Sequence, residues 1–255
     1  LAIAAPPILH AGTEEQQKTW LPKILSGEWI AALAVTEPGT GSDVAGIRTR
    51  AVRDGDEYVV NGAKTFITSG IRADYVTTLV RTGGEGMEGV SFLGIETDRP
   101  GFRRGRNLSK MGWLASDTTE LYFEDVRVPV TNLIGMENGG FLVAMQNFAN
   151  ERLLLAAQCV AIAEMAFEEA RSYVQEREAF GRPVSKFQVT RHKLAEMATR
   201  LEVCRTYVYA LAKQLDTGDV RIAEVAMAKN ACTDMATYVV DQAVQLHGGY
   251  GYMRE

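Results

Sequence analysis

The sequence predicts an α+β protein in three parts. These are the close of a helical segment over residues 1–28, an antiparallel β domain of barrel or sandwich type over 29–130, and an up-and-down helical bundle over 131–255. Three observations carry this. Short runs of β-branched and aromatic residues separated by turn residues fill the middle of the chain. After Pro129 the texture becomes helical and stays so. Within that helical part, Leu194, Met197, Leu201, Cys204, Val208, Leu211 and Leu215 recur at steps of three and four, the seam of a helix packed lengthwise against neighbours.

The first element is a helix over 13–26, with Thr13 as its cap and Gly27 just past its end. It reads as the close of a helical region that begins upstream, so the chain is expected to be a piece of a longer protein. From Trp29 to about Val128 the runs TRAVR, EYVVN, AKTFIT, DYVTTLVR, VSFLGIE and TELYFEDV predict strands. Asp54-Gly55-Asp56 and Asn61-Gly62 are hairpin signals between such runs. Gly139-Gly140 precede a helix reaching about Glu176, a second helix starts near Ser185, and a third runs to about His247 after a break at Thr217-Gly218-Asp219. Three long consecutive helices with short connections imply a bundle whose neighbours are antiparallel.

At 255 residues, 46% hydrophobic and 23% charged, the chain can bury one large core or two smaller ones. A net charge of −5 without a long basic run argues against a general nucleic-acid surface. The longest weakly polar stretch, Leu153 to Ala163, is far short of the roughly 20 residues needed to span a bilayer. Cys159, Cys204 and Cys232 have no ligand spacing and are expected to be small core residues in a reduced, intracellular compartment. No Ser-His-Asp set or paired His at metal spacing appears, and no metal is expected.

Two loops have the chemistry of a site. Val35-Thr36-Glu37-Pro38-Gly39-Thr40-Gly41-Ser42-Asp43 combines a fixed φ at proline, two glycines for close approach, and three hydroxyls. It suits a ligand with phosphates and a polar ring edge, but it is neither a Walker loop nor a GxGxxG fingerprint. Read locally it also serves as a structural turn. Thr65-Phe66-Ile67-Thr68-Ser69-Gly70 closes a strand with an aromatic and two threonine hydroxyls, and locally that is a capped strand end.

Between Glu137 and Glu164 the only charged side chains are the adjacent Glu151 and Arg152. A carboxylate set among Phe148, Leu154 and Leu155 is costly to bury unless paired or used chemically, because desolvation disfavours its charged form. Its other reading is a solvated helix-surface glutamate.

VTEPGTGSDVAGI, FITSG, FEDVRVP, REAFG at 177–181 and QLHGGYGY at 245–252 occur in one order and spacing, and together the chain resembles the acyl-CoA dehydrogenases over essentially its whole length. NERLLLAA resembles the long-chain and isovaleryl-type branches. The resemblance implies a mostly absent N-terminal helical domain, a middle β domain and a C-terminal bundle, with FAD bound between the latter two. It implies homotetramer or homodimer assembly with FAD at the subunit interface. It also implies a bacterial cytoplasmic location, or the mitochondrial matrix in a eukaryote.

By the same resemblance, Leu33, Val35, Thr36, Gly41 and Ser42 hold the flavin with Phe66, Ile67 and Thr68. The adenine and pyrophosphate end falls to Arg177, Phe180, Gln188, Gln245, Leu246, His247, Gly248 and Gly249. Without it, Arg177 reads as a solvated helix end and His247 as a helix-terminal packing group. Ser42, Phe148 and Arg152 would face the acyl-CoA. The implied reaction is α,β-dehydrogenation of an acyl-CoA thioester to the trans-2-enoyl-CoA in fatty acid β-oxidation. Glu151 would be the general base, and electrons would pass to electron-transfer flavoprotein. An acyl-CoA oxidase or flavin monooxygenase of the same fold, and a non-catalytic acyl-CoA-binding relative, are the alternative readings.

Overall fold

The computed structural model describes residues 3–219 and 221–254; the outermost residues of the expected helical parts, 1, 2 and 255, lie outside the described residues. Two compact units are present, Leu1–Asn147 and Phe148–Glu255, each with its own core.

The first unit opens with helix α1 (Pro6–Ala11), which no periodicity announces because it is barely more than one turn. Helix α2 (Glu14–Ser26) has the expected ends. Thr13 and Gln16 form a reciprocal capping box, with Thr13 N donating to Gln16 Oε1 at 2.9 Å and Gln16 N donating to Thr13 Oγ1 at 3.2 Å. Gly27 follows at φ 80°, the left-handed position that ends the helix.

Eight strands form one sheet: β1 (Ala31–Ala34), β2 (Arg50–Asp54), β3 (Glu57–Thr68), β4 (Tyr75–Arg81), β5 (Val90–Glu96), β6 (Phe102–Arg104), β7 (Thr118–Pro129) and β8 (Leu133–Ile134). The order is β6-β7-β3-β2-β4-β5-β8, with β1 added beside β4. Most pairings are antiparallel as expected, but β1 runs parallel to β4, and β2 meets β4 in parallel through Arg50 and Arg81. Parallel pairing requires a long connection, which leaves no mark in either strand's own sequence. Strand β4 is buried on both faces; its Tyr75 stacks on Trp29 at 5.8 Å and tilts against Trp20 of α2 at 5.1 Å.

The two hairpin signals part company. Gly55, at φ 64°, makes the β2–β3 turn. Asn61-Gly62 does not turn the chain: β3 runs straight through it, and the pairing with β7 shifts register between Val60 and Gly62. The extra residue is on β7, where Glu124 and Asp125, the latter at φ 50°, stand opposite Asn61 alone, so this is a β-bulge in the partner strand, with Gly62 beside it at φ 148°.

Helix α3 (Gly140–Glu176) begins in the first unit. Gly140 lies so close to the Ser91 main chain that an added Cβ would stand 2.7 Å from Ser91 Cα, and Asn147 Nδ2 donates to Ile3 O at 3.2 Å. In the second unit α3 continues, followed by the two-stranded ribbon β9 (Glu178–Ala179) and β10 (Arg182–Pro183), helix α4 (Gln188–Asp216) and helix α5 (Ile222–His247). Met197, Leu201, Cys204, Val208 and Leu211 are buried with Leu194 and Leu215 packed beside them, so the predicted seam is the real core face of α4. All three cysteines are free thiols. Burial, with Cys204 adding to it, pushes the Cys232 thiol up to about 12, and burial also raises Cys159. No helix among the described residues is long and apolar enough to cross a membrane.

Candidate functional site

In the first unit the 35–43 loop leaves the end of β1 and doubles back at once. Glu37 and Thr40 bond to each other's main chain at 3.0 and 3.1 Å, which throws Pro38 and Gly39 out to solvent with Gly41 and Ser42. The turn is fixed from beneath by an ion pair that sequence reasoning missed. Lys64 on β3 is 0% exposed, and its Nζ donates to Glu37 Oε1 at 2.8 Å and to the Val35 carbonyl at 2.9 Å. Glu37 also accepts from Arg48 N at 2.7 Å and Thr49 N at 2.9 Å.

Burial pushes the Glu37 carboxyl up, but the Lys64 ammonium and the N–H donors of Thr49 and Arg48 outweigh it and hold it below the ordinary value. Lys64 has no solvent and fewer partners, so burial wins there and lowers it to about 8, with Glu37 opposing the fall. One sequence signal existed: counting by twos from buried Tyr58 and Val60 puts Lys64 on the inward face of β3.

The second loop lies against the first. Thr65 N donates to Thr36 O at 2.8 Å, and the β3–β7 register slips again between Lys64 and Ile67. Phe66 sits at φ 59° and Ser69 at φ 64°, in the left-handed region that is strained for side chains of their kind. The result is that Phe66, 68% exposed, and Thr68 face outward while Ile67 turns into the core, leaving only its main chain for a ligand. Leu33 and Thr36 are half-buried and Val35 is buried.

Asp117 anchors the far end of this loop. It accepts from Ile71 N at 2.8 Å and Arg72 Nε at 2.7 Å, and its main-chain carbonyl takes Ser69 N at 3.1 Å. Burial raises its carboxyl, but those donors outweigh it and hold it below the usual range.

In the second unit, Arg177 follows the last turn of α3, with its N–H bonded to Tyr173 O at 2.8 Å and its carbonyl to Val184 N at 2.8 Å. His247 ends α5, stacked on Tyr173 at 4.5 Å between centroids, with Nδ1 2.8 Å from Ala243 O. Arg177, Leu246, His247, Gly248 and Gly249 line one open cavity of about 600 Å³ with Tyr173 and Tyr250. Gly248, at φ 60°, needs a glycine there. Phe180, Gln188 and Gln245 are exposed and do not line that cavity; Phe180 packs edge-on against Phe187 at 6.1 Å.

Glu151 lies on α3 and is half-buried, as are Phe148 and Arg152. The segment is less enclosed than its composition suggests, because Leu154 and Leu155 are 50% and 45% exposed while Leu153 and Ala156 carry the packing. Among the described residues no group of three His, Cys, Asp or Glu could hold a metal ion.

Family models of the acyl-CoA dehydrogenase N-terminal, middle and C-terminal domains match residues 1–28, 32–126 and 138–255. The crystal structure of a probable acyl-CoA dehydrogenase from Mycobacterium abscessus matches with a TM-score of 0.96 and 55% identity, covering 99% of this chain and 67% of that one. The chain belongs to the acyl-CoA dehydrogenase family. This acyl-CoA dehydrogenase chain is 43% identical over 256 residues to the mitochondrial long-chain specific acyl-CoA dehydrogenase of Sus scrofa, covering 99% of this chain and 60% of that protein. It therefore spans less than two thirds of that relative's length. A glutaryl-CoA dehydrogenase from Mycobacterium smegmatis, solved in complex with FADH2, is 32% identical with a TM-score of 0.91, covering 98% of this chain and 63% of that one.

Proposed function

We propose that the whole protein is an FAD-dependent acyl-CoA dehydrogenase that converts an acyl-CoA thioester to its trans-2-enoyl-CoA and passes the electrons to electron-transfer flavoprotein. The observation that carries this reading is the pairing of two segments, Val35 to Ser42 and Phe66 to Thr68, through the Thr65–Thr36 bond, the first exposing Gly41 and Ser42 and the second Phe66 and Thr68. An exposed aromatic face at Phe66, the hydroxyls of Thr36, Thr68 and Ser42, and open space at Gly41 suit a flat polar ring with a phosphate tail. The exposed Arg177 beside Gly248 and Gly249 suits a pyrophosphate, which a guanidinium binds well and glycines let approach.

FAD, when bound, supplies acceptance of the hydride that leaves the β-carbon. The chain's own residues supply the rest. Glu151 removes the α-proton, its carboxylate becoming a carboxylic acid as the α,β double bond forms. Phe66 and Thr68 cover the ring and Ser42 is an acyl-CoA contact in the first unit, while Phe148 and Arg152 are acyl-CoA contacts in the second. Oligomerisation as a homotetramer or homodimer, and a bacterial cytoplasmic or mitochondrial matrix location, belong to the same reading.

The test uses the full-length protein titrated with FAD and then, without oxygen, with acyl-CoA. The wild type is expected to turn yellow and to bleach. Glu151→Gln is expected to keep FAD and thioester binding while bleaching slows by about 10²–10⁴-fold, the usual worth of a general base. Undiminished bleaching in Glu151→Gln would move the base elsewhere. A protein that takes up no FAD sinks the flavin reading, and rapid peroxide formation when air is then admitted to the substrate-reduced flavin replaces a dehydrogenase with an oxidase.

A further inference from the structure

We propose that Lys64 and Glu37 are positioning residues for the flavin, one buried ion pair that holds both flavin-facing segments in register. The proposal rests on the flavin reading above. Lys64 Nζ bonds the Val35 carbonyl, so the ammonium reaches directly into the segment assigned to the ring and ribityl chain. Its own strand neighbours are Thr65, whose N–H bonds the Thr36 carbonyl, and Phe66, the outward aromatic. Through Glu37 the same pair ties in a third segment, Arg48-Thr49, by two main-chain N–H groups.

A hydrogen bond between neutral groups could have joined these segments, yet the chain buries two charges, at 0% and 6% side-chain exposure, to do so. Bonds to charged groups are shorter and stronger than neutral ones, which suits a loop whose main-chain placement matters to fractions of an ångström. The local geometry supports the same point. Phe66 keeps a positive φ that its side chain disfavours, and such strain persists only where the surroundings over-determine it. Lys64 and Thr65, immediately before it, are both bonded to the opposite loop, Lys64 through its ammonium and Thr65 through its main-chain N–H.

The experiment compares wild type, Lys64→Met, Glu37→Gln and the double variant in the full-length protein. It measures FAD affinity by flavin fluorescence quenching, the position of the flavin absorption band, and the thermal midpoint. Each single variant leaves a buried charge without its partner and is expected to lose both stability and FAD affinity. The double variant removes both charges and is expected to regain most of the thermal midpoint. Its FAD affinity stays about tenfold or more below wild type and its flavin band stays shifted, because the bond to the Val35 carbonyl is gone.

FAD affinity that rises and falls in step with the thermal midpoint across the four proteins overturns the proposal and makes the pair a stabilising contact only. So does wild-type affinity and spectrum in Lys64→Met. A wild type that binds no FAD fails the flavin reading itself, a separate result. Should Lys64→Met not fold, Glu37→Asp carries the test: it keeps both charges, shortens the reach by one methylene, and is expected to shift the flavin band at near-native stability. An unshifted band in Glu37→Asp overturns the proposal.

Discussion

Asn61 and Asp125 face each other across β3 and β7 and exchange two hydrogen bonds. Asn61 Nδ2 donates to Asp125 Oδ1 at 2.9 Å, and Asp125 N donates to Asn61 Oδ1 at 2.9 Å. The exchange ties Asn61 to the β7 bulge at Glu124-Asp125, and at the next residue, Gly62, β3 passes so close to Thr49 that an added Cβ would stand 2.6 Å from Thr49 Oγ1 and 2.7 Å from Thr49 Cα. Gly62→Ala therefore meets both a main-chain clash and a disfavoured φ, and is expected to cost about 2–4 kcal/mol in denaturant unfolding. A loss under about 0.5 kcal/mol would show that β3 relaxes freely away from Thr49.

The Asn61-Gly62 pair also shows how far local sequence reaches. Asn-Gly signals a turn because both residues tolerate positive φ, yet here only Gly62 uses that tolerance and the pair runs on as strand opposite the β7 bulge. What decides between turn and strand is Asp125, 64 positions along the chain. The helix ends at Thr13 and Gly27 and the seam from Leu194 to Leu215 were legible because cap chemistry and helical spacing are local. The parallel β1–β4 pairing and the Lys64–Glu37 pair were not, since each joins distant residues and a lone lysine in a strand reads as solvent-facing by default. The outward loops holding Phe66 and Ser42 were legible as unusual chemistry, but their mutual placement through Thr65 and Thr36 was not.

Acid should undo the first unit through Glu37 and Asp117. Both carboxyls are held below their ordinary values of 4.5 and 3.8 when folded, so the unfolded chain takes up protons first as pH falls. Their stabilisation is present above about pH 4.5 and drains away below it. Unfolding free energy measured from pH 6 to pH 2.5 is expected to fall more steeply in the wild type than in Asp117→Asn or the Glu37→Gln/Lys64→Met double variant. Parallel curves would remove these two groups as the source.

The thiols should be quiet while the protein is folded. Cys232 is fully buried, with its thiol pushed up to about 12, so at pH 8 its reactive thiolate is scarce and out of reach. Titration with a disulfide reagent is expected to modify Cys232 only at the rate of unfolding, and to reach all three cysteines in denaturant. Rapid labelling of Cys232 in the native protein would contradict its burial on α5.

Arg177 separates charge from shape at the cavity it shares with His247. If it holds a pyrophosphate, Arg177→Ala is expected to weaken FAD binding about tenfold or more, with Arg177→Lys recovering only part because it lacks the planar fork. The loss should shrink as salt rises, since screening weakens an exposed charge contact in the wild type as well. Affinity equal to wild type in Arg177→Ala would place the phosphates elsewhere.

The buried Lys64–Glu37 pair also constrains how this protein can change. Losing either partner alone strands a charge in the interior, while losing both removes the problem, so the two positions behave as one unit of inheritance separated by a fitness valley. A library that randomises positions 37 and 64 together and selects for folded protein should return opposite charges or two apolar residues, and very few combinations with one charge.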